Sequence, residues 1–310
     1  MKVSVVICIY SMDRFEAFSE AVESVLDQTY EPVETILIVD GNQTVYERVE
    51  EEWGGHERIT VYCNDENVGL SMSRNRGAEL ANGDVIAFLD DDAVADEQWV
   101  KELVSVYEEH DVEAVGGKMV PQWVAGKPTF LPEEFYWLVG VTYRGFPNEG
   151  AVRNTFGSNI SFRADVLSEL GGFDPNLGRK SGKHVQGEET ELAARLRTEL
   201  NGTLYYTPDA KVKHKIFDYR TRFPWLAKRA FWQGYSKHVM KRLVPASGAD
   251  ETAFLKRLVL KFVAERVANL FRTPDKSKVL QLWAIFVFTV AVGLGYIYGM
   301  VRNHSLDSKE

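Results

Sequence analysis

The chain has 310 residues, 45% of them hydrophobic and 26% charged, which suits one fair-sized globular domain with an appendage and excludes a largely disordered protein. A net charge of −9 leaves no basic footprint for nucleic acid. Cys8 and Cys63, each within an apolar or strand-like run, exclude a disulfide framework and fit a reducing compartment.

Val3–Ile9 opens the chain as an apolar run too short for a secretory leader, with Asp13 and Arg14 following at once. It predicts a buried strand, as do Thr35–Val39, Ile59–Cys63 and Val85–Leu89. Helical spacing is found in Phe15–Gln28, Ser71–Leu80 and Asp96–Glu108. This alternation predicts an α/β fold with a parallel sheet covered by helices. From about Pro121 to Gly157 the texture becomes aromatic and proline-rich, open to two readings: a binding wall, or an irregular packed layer. Ser158–Phe162 resumes as a strand and Gly187–Leu200 as a helix, with Leu192, Leu196 and Leu200 on one face.

The last third differs. Val279–Val301 holds 23 uncharged residues, long enough to cross a hydrocarbon core of about 30 Å. Trp283, Tyr296 and Tyr298 lie toward its ends, where aromatic rings prefer the interface. Lys261, Arg266, Arg272, Lys276 and Lys278 precede it, and only Arg302 and Lys309 follow. That bias predicts a single-pass protein of the cell membrane whose N-terminal domain faces the cytoplasm. Phe254–Phe271 alternates apolar and basic residues, as in a helix lying on membrane lipids. The expected division is therefore a globular domain over 1–240, an amphipathic linker over 241–278, a transmembrane helix over 279–301 and a tail over 302–310.

Asp90-Asp91-Asp92 follows an apolar strand directly. Three adjacent carboxylates repel unless a cation or solvent relieves them. Ligands of open α/β sheets bind beyond the carboxyl ends of strands, where this cluster falls. Carboxylate oxygens select Mg²⁺ or Mn²⁺. Taken alone, the triplet is equally an acidic turn, and Glu189 alone is a solvated helix carboxylate. Lys211–Lys215 with Arg220 and Arg222 forms a cationic patch. His214, Lys213 and Arg222 are candidates there for a phosphate, metal or acidic-sugar contact, or for attraction to anionic head groups.

Other segments stand in a telling order: Ser24–Tyr30; Ile38-Val39-Asp40-Gly41; Asn67–Ser71 with Arg74-Asn75-Arg76-Gly77; Ala87–Asp92; Gly157-Ser158-Asn159; Gly171-Gly172-Phe173-Asp174; and Gly187–Leu192. Over about residues 3 to 240 this ordered set resembles the family 2 inverting glycosyltransferases of GT-A fold. The resemblance implies that Asp40 contacts the nucleobase of a nucleotide-sugar donor and that Arg74 contacts the nucleotide. It places Asp90 and Asp91 on the nucleoside and ribose side, and Asp92 on a metal bridging the diphosphate. Glu188-Glu189 stands where the family has Glu-Asp, which makes Glu189 the general base with Glu188 supporting or substituting. Two departures stand out: the usual Asp-Asp-Gly-Ser is shortened to Asp40-Gly41-Asn42, and Glu replaces Asp at the base.

More narrowly, Asp40-Gly41-Asn42, Phe88–Ala93 and Val152–Ser161 are similar to archaeal enzymes that extend dolichol-linked glycans for protein N-glycosylation. That implies glucuronic acid transfer from UDP-glucuronate to a dolichyl phosphate-linked saccharide. Two alternatives remain open, a dolichyl-phosphate monosaccharide synthase and a non-catalytic scaffold that binds nucleotide sugars or glycolipids.

Overall fold

A computed structural model describes residues 1–178, 187–243 and 248–307. Its described residues divide into two compact units, one of 1–121, 147–178 and 187–215, the other of 122–146, 216–243 and 248–307.

The first unit is built on a sheet. β1 (Val3–Ile9), β2 (Val33–Val39), β3 (Ile59–Cys63) and β4 (Val85–Asp90) pair in parallel in the order β3-β2-β1-β4. The pairing Val3↔Val33 and Val3↔Val85 aligns the carboxyl ends of β1, β2 and β4, so Ile9, Val39 and Asp90 leave the sheet along one edge. β1 and β4 are buried nearly throughout, which explains their unbroken apolar sequences. The helices between these strands are α1 (Phe15–Leu26), α2 (Gln43–Trp53) and α3 (Leu70–Leu80).

Beyond β4 the sheet ceases to be parallel. After β5 (Ala93–Ala95) and α4 (Trp99–Glu109) come β6 (Ala114–Trp123), β7 (Gly150–Ala151) and β8 (Ile160–Arg163). α5 (Ala164–Glu169) and α6 (Glu188–Glu199) precede β9 (Leu204–Ile216). β8 lies antiparallel to both β4 and β6, and β9 antiparallel to β5 and β7. β1–β4 form the parallel sheet that the alternation predicts, and the mixed half joins it through the antiparallel pairing of β4 with β8. The core joins Val6, Ile36, Ile86, Phe88, Phe162, Phe173, Leu192 and Leu196, tying α6 and the 167–173 segment onto the sheet.

Several elements were not anticipated, α2, β6 and β9 among them. α2 starts at Asn42, whose side chain accepts a hydrogen bond from the Val45 N–H at 3.3 Å, and it buries Val45, Val49 and Trp53. β6 runs into the aromatic stretch, and β9 contains the supposed cationic patch. The helix expected to reach Gln28 ends at Leu26. Gln28 turns inward instead: its side chain donates to the Ser24 and Asp96 carbonyls at 2.8 Å and accepts from the Val100 N–H at 2.8 Å, clamping α1 to α4. Cys8 and Cys63 are free thiols.

The second unit contains α7 (Asp218–Thr221), α8 (Phe223–Leu243), α9 (Gly248–Arg257), a π-helical stretch Leu258–Val263, α10 (Ala264–Arg272) and α11 (Lys276–Asp307). Residues 122–146 contribute a 3-10 helix, Glu133–Val139. Fully buried Glu134 accepts from Arg144 Nη1 at 3.0 Å and Arg266 Nη2 at 2.6 Å, joining this helix to α10. Within α11, Lys276–Arg302 is long and apolar enough to cross a membrane. Of the expected tail, 308–310 lie outside the described residues, Lys309 among them.

Candidate active site

The aligned carboxyl ends of the strands gather the acids. Asp40 follows β2 and is buried. Its carboxylate accepts from the Val68 N–H at 2.9 Å, the Gly69 N–H at 3.0 Å and Asn64 Nδ2 at 3.0 Å. Asp40 therefore fixes the loop entering α3, which Gly69 joins at φ +92°, a conformation open to glycine.

α3 carries Arg74 inward. The approach is close because of Gly77: a Cβ there would sit 2.3 Å from Val6 Cγ1 of β1. Buried Arg74 donates to Asp90 Oδ1 at 2.7 Å, the Gly157 carbonyl at 3.0 Å and Glu188 Oε1 at 3.4 Å. Its guanidinium also lies 5.3 Å from the Phe173 ring centroid. Burial opposes the charge, but Asp90 and Glu188 outweigh it and hold the Arg74 pKa above its ordinary value.

The neighbouring chain is pinned to the same place. Asn75 donates to the Phe173 carbonyl and accepts from the Phe173 N–H, both at 2.8 Å. Arg195 of α6 grips Glu191 at 2.6 Å and donates to the Gly172 carbonyl at 2.6 Å. These bonds explain Gly171-Gly172-Phe173: the turn docks the start of α6 against α3. Buried Asn159 accepts from Trp99 Nε1 at 2.8 Å and donates to the Ala210 carbonyl at 3.0 Å. Next to it, Ser158 Oγ accepts from the Asp90 N–H at 3.3 Å.

Glu188 and Glu189 open α6, whose positive end favours acids. They differ in surroundings. Glu188 is buried on Arg74 and also accepts from the Gly187 N–H at 3.2 Å. Glu189 has no side-chain hydrogen bond from another residue among the described residues. Burial, and then the charge of Glu188, push its carboxyl up from the ordinary value to about 8. Deeper in the same site, burial pushes the Cys8 thiol well above its usual range, leaving it an inert wall.

A second cluster surrounds Asp92, which is buried. Asp92 accepts from Arg14 Nη1 at 3.0 Å, and its other oxygen lies 3.2 Å from His214 Nε2. β9 delivers His214 because Ala93↔His214 are paired in register. Strand alternation then turns Lys213 to the opposite, exposed face. Lys215 shares the parity of Lys213 but is buried, paired with Glu20 at 2.6 Å. Arg222 belongs to the second unit, exposed and paired with Asp218 at 3.1 Å. So the structure joins Asp92 with His214, and Arg74 with Asp90 and Glu188, and separates Lys213 from His214. Asp90 and Asp91 are half-buried at the strand end. Arg14 was missed as a site residue; its signal was a cation one turn beyond the carboxyl end of β1.

The donors at Asp92 bear on the metal implied by the resemblance. A carboxylate and an imidazole converge, suitable for Mn²⁺ and, through oxygen, Mg²⁺. Among the described residues no three His, Cys, Asp or Glu side chains form a cage. Two protein donors fit an ion whose remaining positions are filled by substrate phosphate and water.

The strand ends thus present paired acids and an acid–imidazole pair, with Arg74 of α3 buried beside them. The family model for glycosyl transferase family 2 matches residues 4–171. The chain belongs to that family. It is 54% identical over 309 residues to the glucosyl-dolichyl phosphate glucuronosyltransferase of Haloferax volcanii, covering 99% of each chain. It is also 30% identical over 178 residues to the succinoglycan biosynthesis protein ExoM of Rhizobium meliloti, 57% of this chain and 53% of that one. Among solved structures, the mannosyltransferase PcManGT of Pyrobaculum calidifontis, in complex with GDP-Man and Mn²⁺, superposes with a TM-score of 0.60 at 14% identity, over 96% of this chain and 87% of that one. TarS 1–349 of S. aureus gives 0.56 at 16% identity, over 94% and 81%. These two likenesses establish the GT-A fold.

Proposed function

We propose that this family 2 enzyme transfers glucuronic acid, with inversion, from UDP-glucuronate to a dolichyl phosphate-linked saccharide on the way to protein N-glycosylation. The observation that carries the mechanism is the sorting of the acids by Arg74. It engages Glu188 and Asp90, and leaves the adjacent Glu189 without a side-chain donor among the described residues. The near-complete likeness to the Haloferax volcanii enzyme carries the choice of sugar and acceptor.

In this reading Glu189 takes the proton from the acceptor hydroxyl as its oxygen attacks the anomeric carbon. The bond from that carbon to the diphosphate oxygen breaks, and UDP departs with the electron pair. Asp92 and His214 would hold Mg²⁺ or Mn²⁺, which neutralises charge on the leaving diphosphate. Arg14, already on Asp92, adds positive charge there. Asp40 and Arg74 fix the nucleotide-side walls, and Asp90 and Asp91 meet the ribose. Lys213 and Arg222 offer surface charge to the acceptor phosphate or to anionic head groups.

The acceptor is a lipid, and α11 with its preceding basic residues keeps the enzyme at the cytoplasmic face of the cell membrane, where anionic head groups attract those residues.

The deciding experiment measures UDP or GDP released from a panel of nucleotide sugars, with Mn²⁺ or Mg²⁺, in the presence of glucosyl-dolichyl phosphate or dolichyl phosphate. Release from UDP-glucuronate only with the glucosylated lipid supports the proposal. Use of bare dolichyl phosphate would make it a monosaccharide synthase, and no turnover of any donor would make it a scaffold.

A further inference from the structure

α11 does not stand alone. α8 runs beside it in the same direction: Phe223 stacks on Trp283 at 4.5 Å near one end, and Phe231 meets Tyr298 at 5.6 Å further along. The helices touch backbone to backbone. A Cβ on Gly234 would lie 2.0 Å from the Val292 carbonyl, and one on Gly295 would lie 1.8 Å from the Phe231 carbonyl. Small residues at such positions are what permit so close an approach. Near the α8 C-terminus, His238 packs against Gly299.

This pairing gives α11 two faces. Ala284, Ile285 and Phe288 are buried, Phe288 against Phe135 of the 3-10 helix at 5.6 Å. The opposite face is a stripe of Val279, Trp283, Phe286, Val290, Leu294, Ile297 and Val301, all exposed and spaced at three and four residues along the whole apolar run. Phe286 is 67% exposed and Val301 66%. In the same unit, Leu260 and Phe271 are exposed, among Lys256, Arg257, Lys261 and Arg272.

If α11 crossed the bilayer, α8 would be drawn in with it. α8 carries Lys228, Arg229, Lys237, Lys241 and Arg242. Lys228 and Arg229 fall five to six residues after Phe223, level with the middle of the apolar run. Each would cost about 2.5–3.5 kcal/mol or more at that depth. Detaching α8 instead would break the glycine contacts and uncover Ala284 and Phe288.

We propose that α8 and α11 lie together in the plane of one leaflet, the α11 stripe among the acyl chains and the basic residues of this unit at anionic head groups. The chain is then attached to a single face of the membrane and does not cross it. The inference rests on the proposed membrane-bound acceptor for its setting, and goes beyond it in the mode of attachment.

The test uses the full chain with one epitope tag at each end, in sealed, carbonate-washed membrane vesicles treated with external protease. Loss or protection of both tags together is expected. Cleavage of one tag with protection of the other would show a crossing and overturn the proposal. Recovery of the protein in the soluble fraction would also overturn it. A second measurement keeps misfolding apart from topology. Phe286→Ser with Leu294→Ser should lower sedimentation with vesicles containing anionic lipid at least tenfold, with the melting temperature unchanged; undiminished binding would overturn the stripe as the attachment face. Neither readout involves sugar transfer, so a failed donor assay would leave it standing, and a crossing would leave the transfer reading intact.

Discussion

A guanidinium buried between Asp90 and Glu188 engages one of the two acids at the start of α6, and in the proposed mechanism this leaves Glu189 as the base. Glu189→Gln should keep donor affinity and lower kcat by about 10²–10⁴-fold, whereas Glu188→Gln should change kcat less and weaken the packing of Arg74. Measuring kcat beside donor binding in both variants separates the two roles. The raised pKa of Glu189 also fixes two signs. Only its ionised form is a base, so kcat/KM should rise as pH increases through the neutral range. The folded protein binds the proton more tightly than the unfolded chain, so this group lowers stability as pH rises from the ordinary carboxylate value through the raised one. Glu189→Gln should therefore melt higher than the parent at alkaline pH and alike at acid pH, in paired thermal scans.

Arg74→Met removes the partner of two carboxylates at once, and such losses cost on the order of 3–5 kcal/mol. The variant should unfold at distinctly lower urea concentration. His214→Ala should raise the Mn²⁺ concentration for half-maximal turnover about tenfold or more, and chelation should silence the parent, in metal titrations of UDP release. At this scale the acids were legible because strand ends followed by carboxylates are visible in one dimension. The sharing of Arg74 was not, because residues 74, 90, 157 and 188 meet only after the chain has folded back three times. Arg14 was hidden for the same reason: its partner stands 78 residues away.

At the scale of elements, two kinds of pattern misled. β9 reads as a basic patch when its letters are taken together, but its alternation sends His214 to the site and Lys213 to solvent. α2 carries an Asn cap and apolar residues four apart, yet its many acids masked the spacing. The parallel strands and β8 were legible as apolar runs, whereas the antiparallel pairing of β6 with β8 depends on register that no local pattern shows. Gly77 illustrates how packing overrules propensity. In an exposed helix, Gly→Ala gains about 1 kcal/mol. Here the added methyl meets Val6 at 2.3 Å between α3 and β1, and overpacking costs roughly 1–3 kcal/mol. Gly77→Ala should therefore lower the melting temperature and, by displacing α3, weaken donor binding.

At the scale of the whole molecule, α11 combines two duties that composition alone would separate. It is long and apolar enough to be the proposed membrane element, and Ala284, Ile285 and Phe288 are buried as part of the second unit. An anchor joined by a free linker could be cut away without loss. Deleting the chain after Lys278 should instead expose Leu226, Ala230 and Met240 of α8, which are buried in the intact protein. The truncated protein should aggregate and lose the cooperative melting of its second unit, even with detergent present. The stripe variant Phe286→Ser with Leu294→Ser, which alters only the exposed face, should stay monodisperse with less detergent. Size-exclusion chromatography and calorimetry of both variants distinguish the cases. A well-folded, soluble truncation would show that α11 is only an anchor, whereas aggregation beside a soluble stripe variant would show that one helix both attaches the enzyme and holds it together.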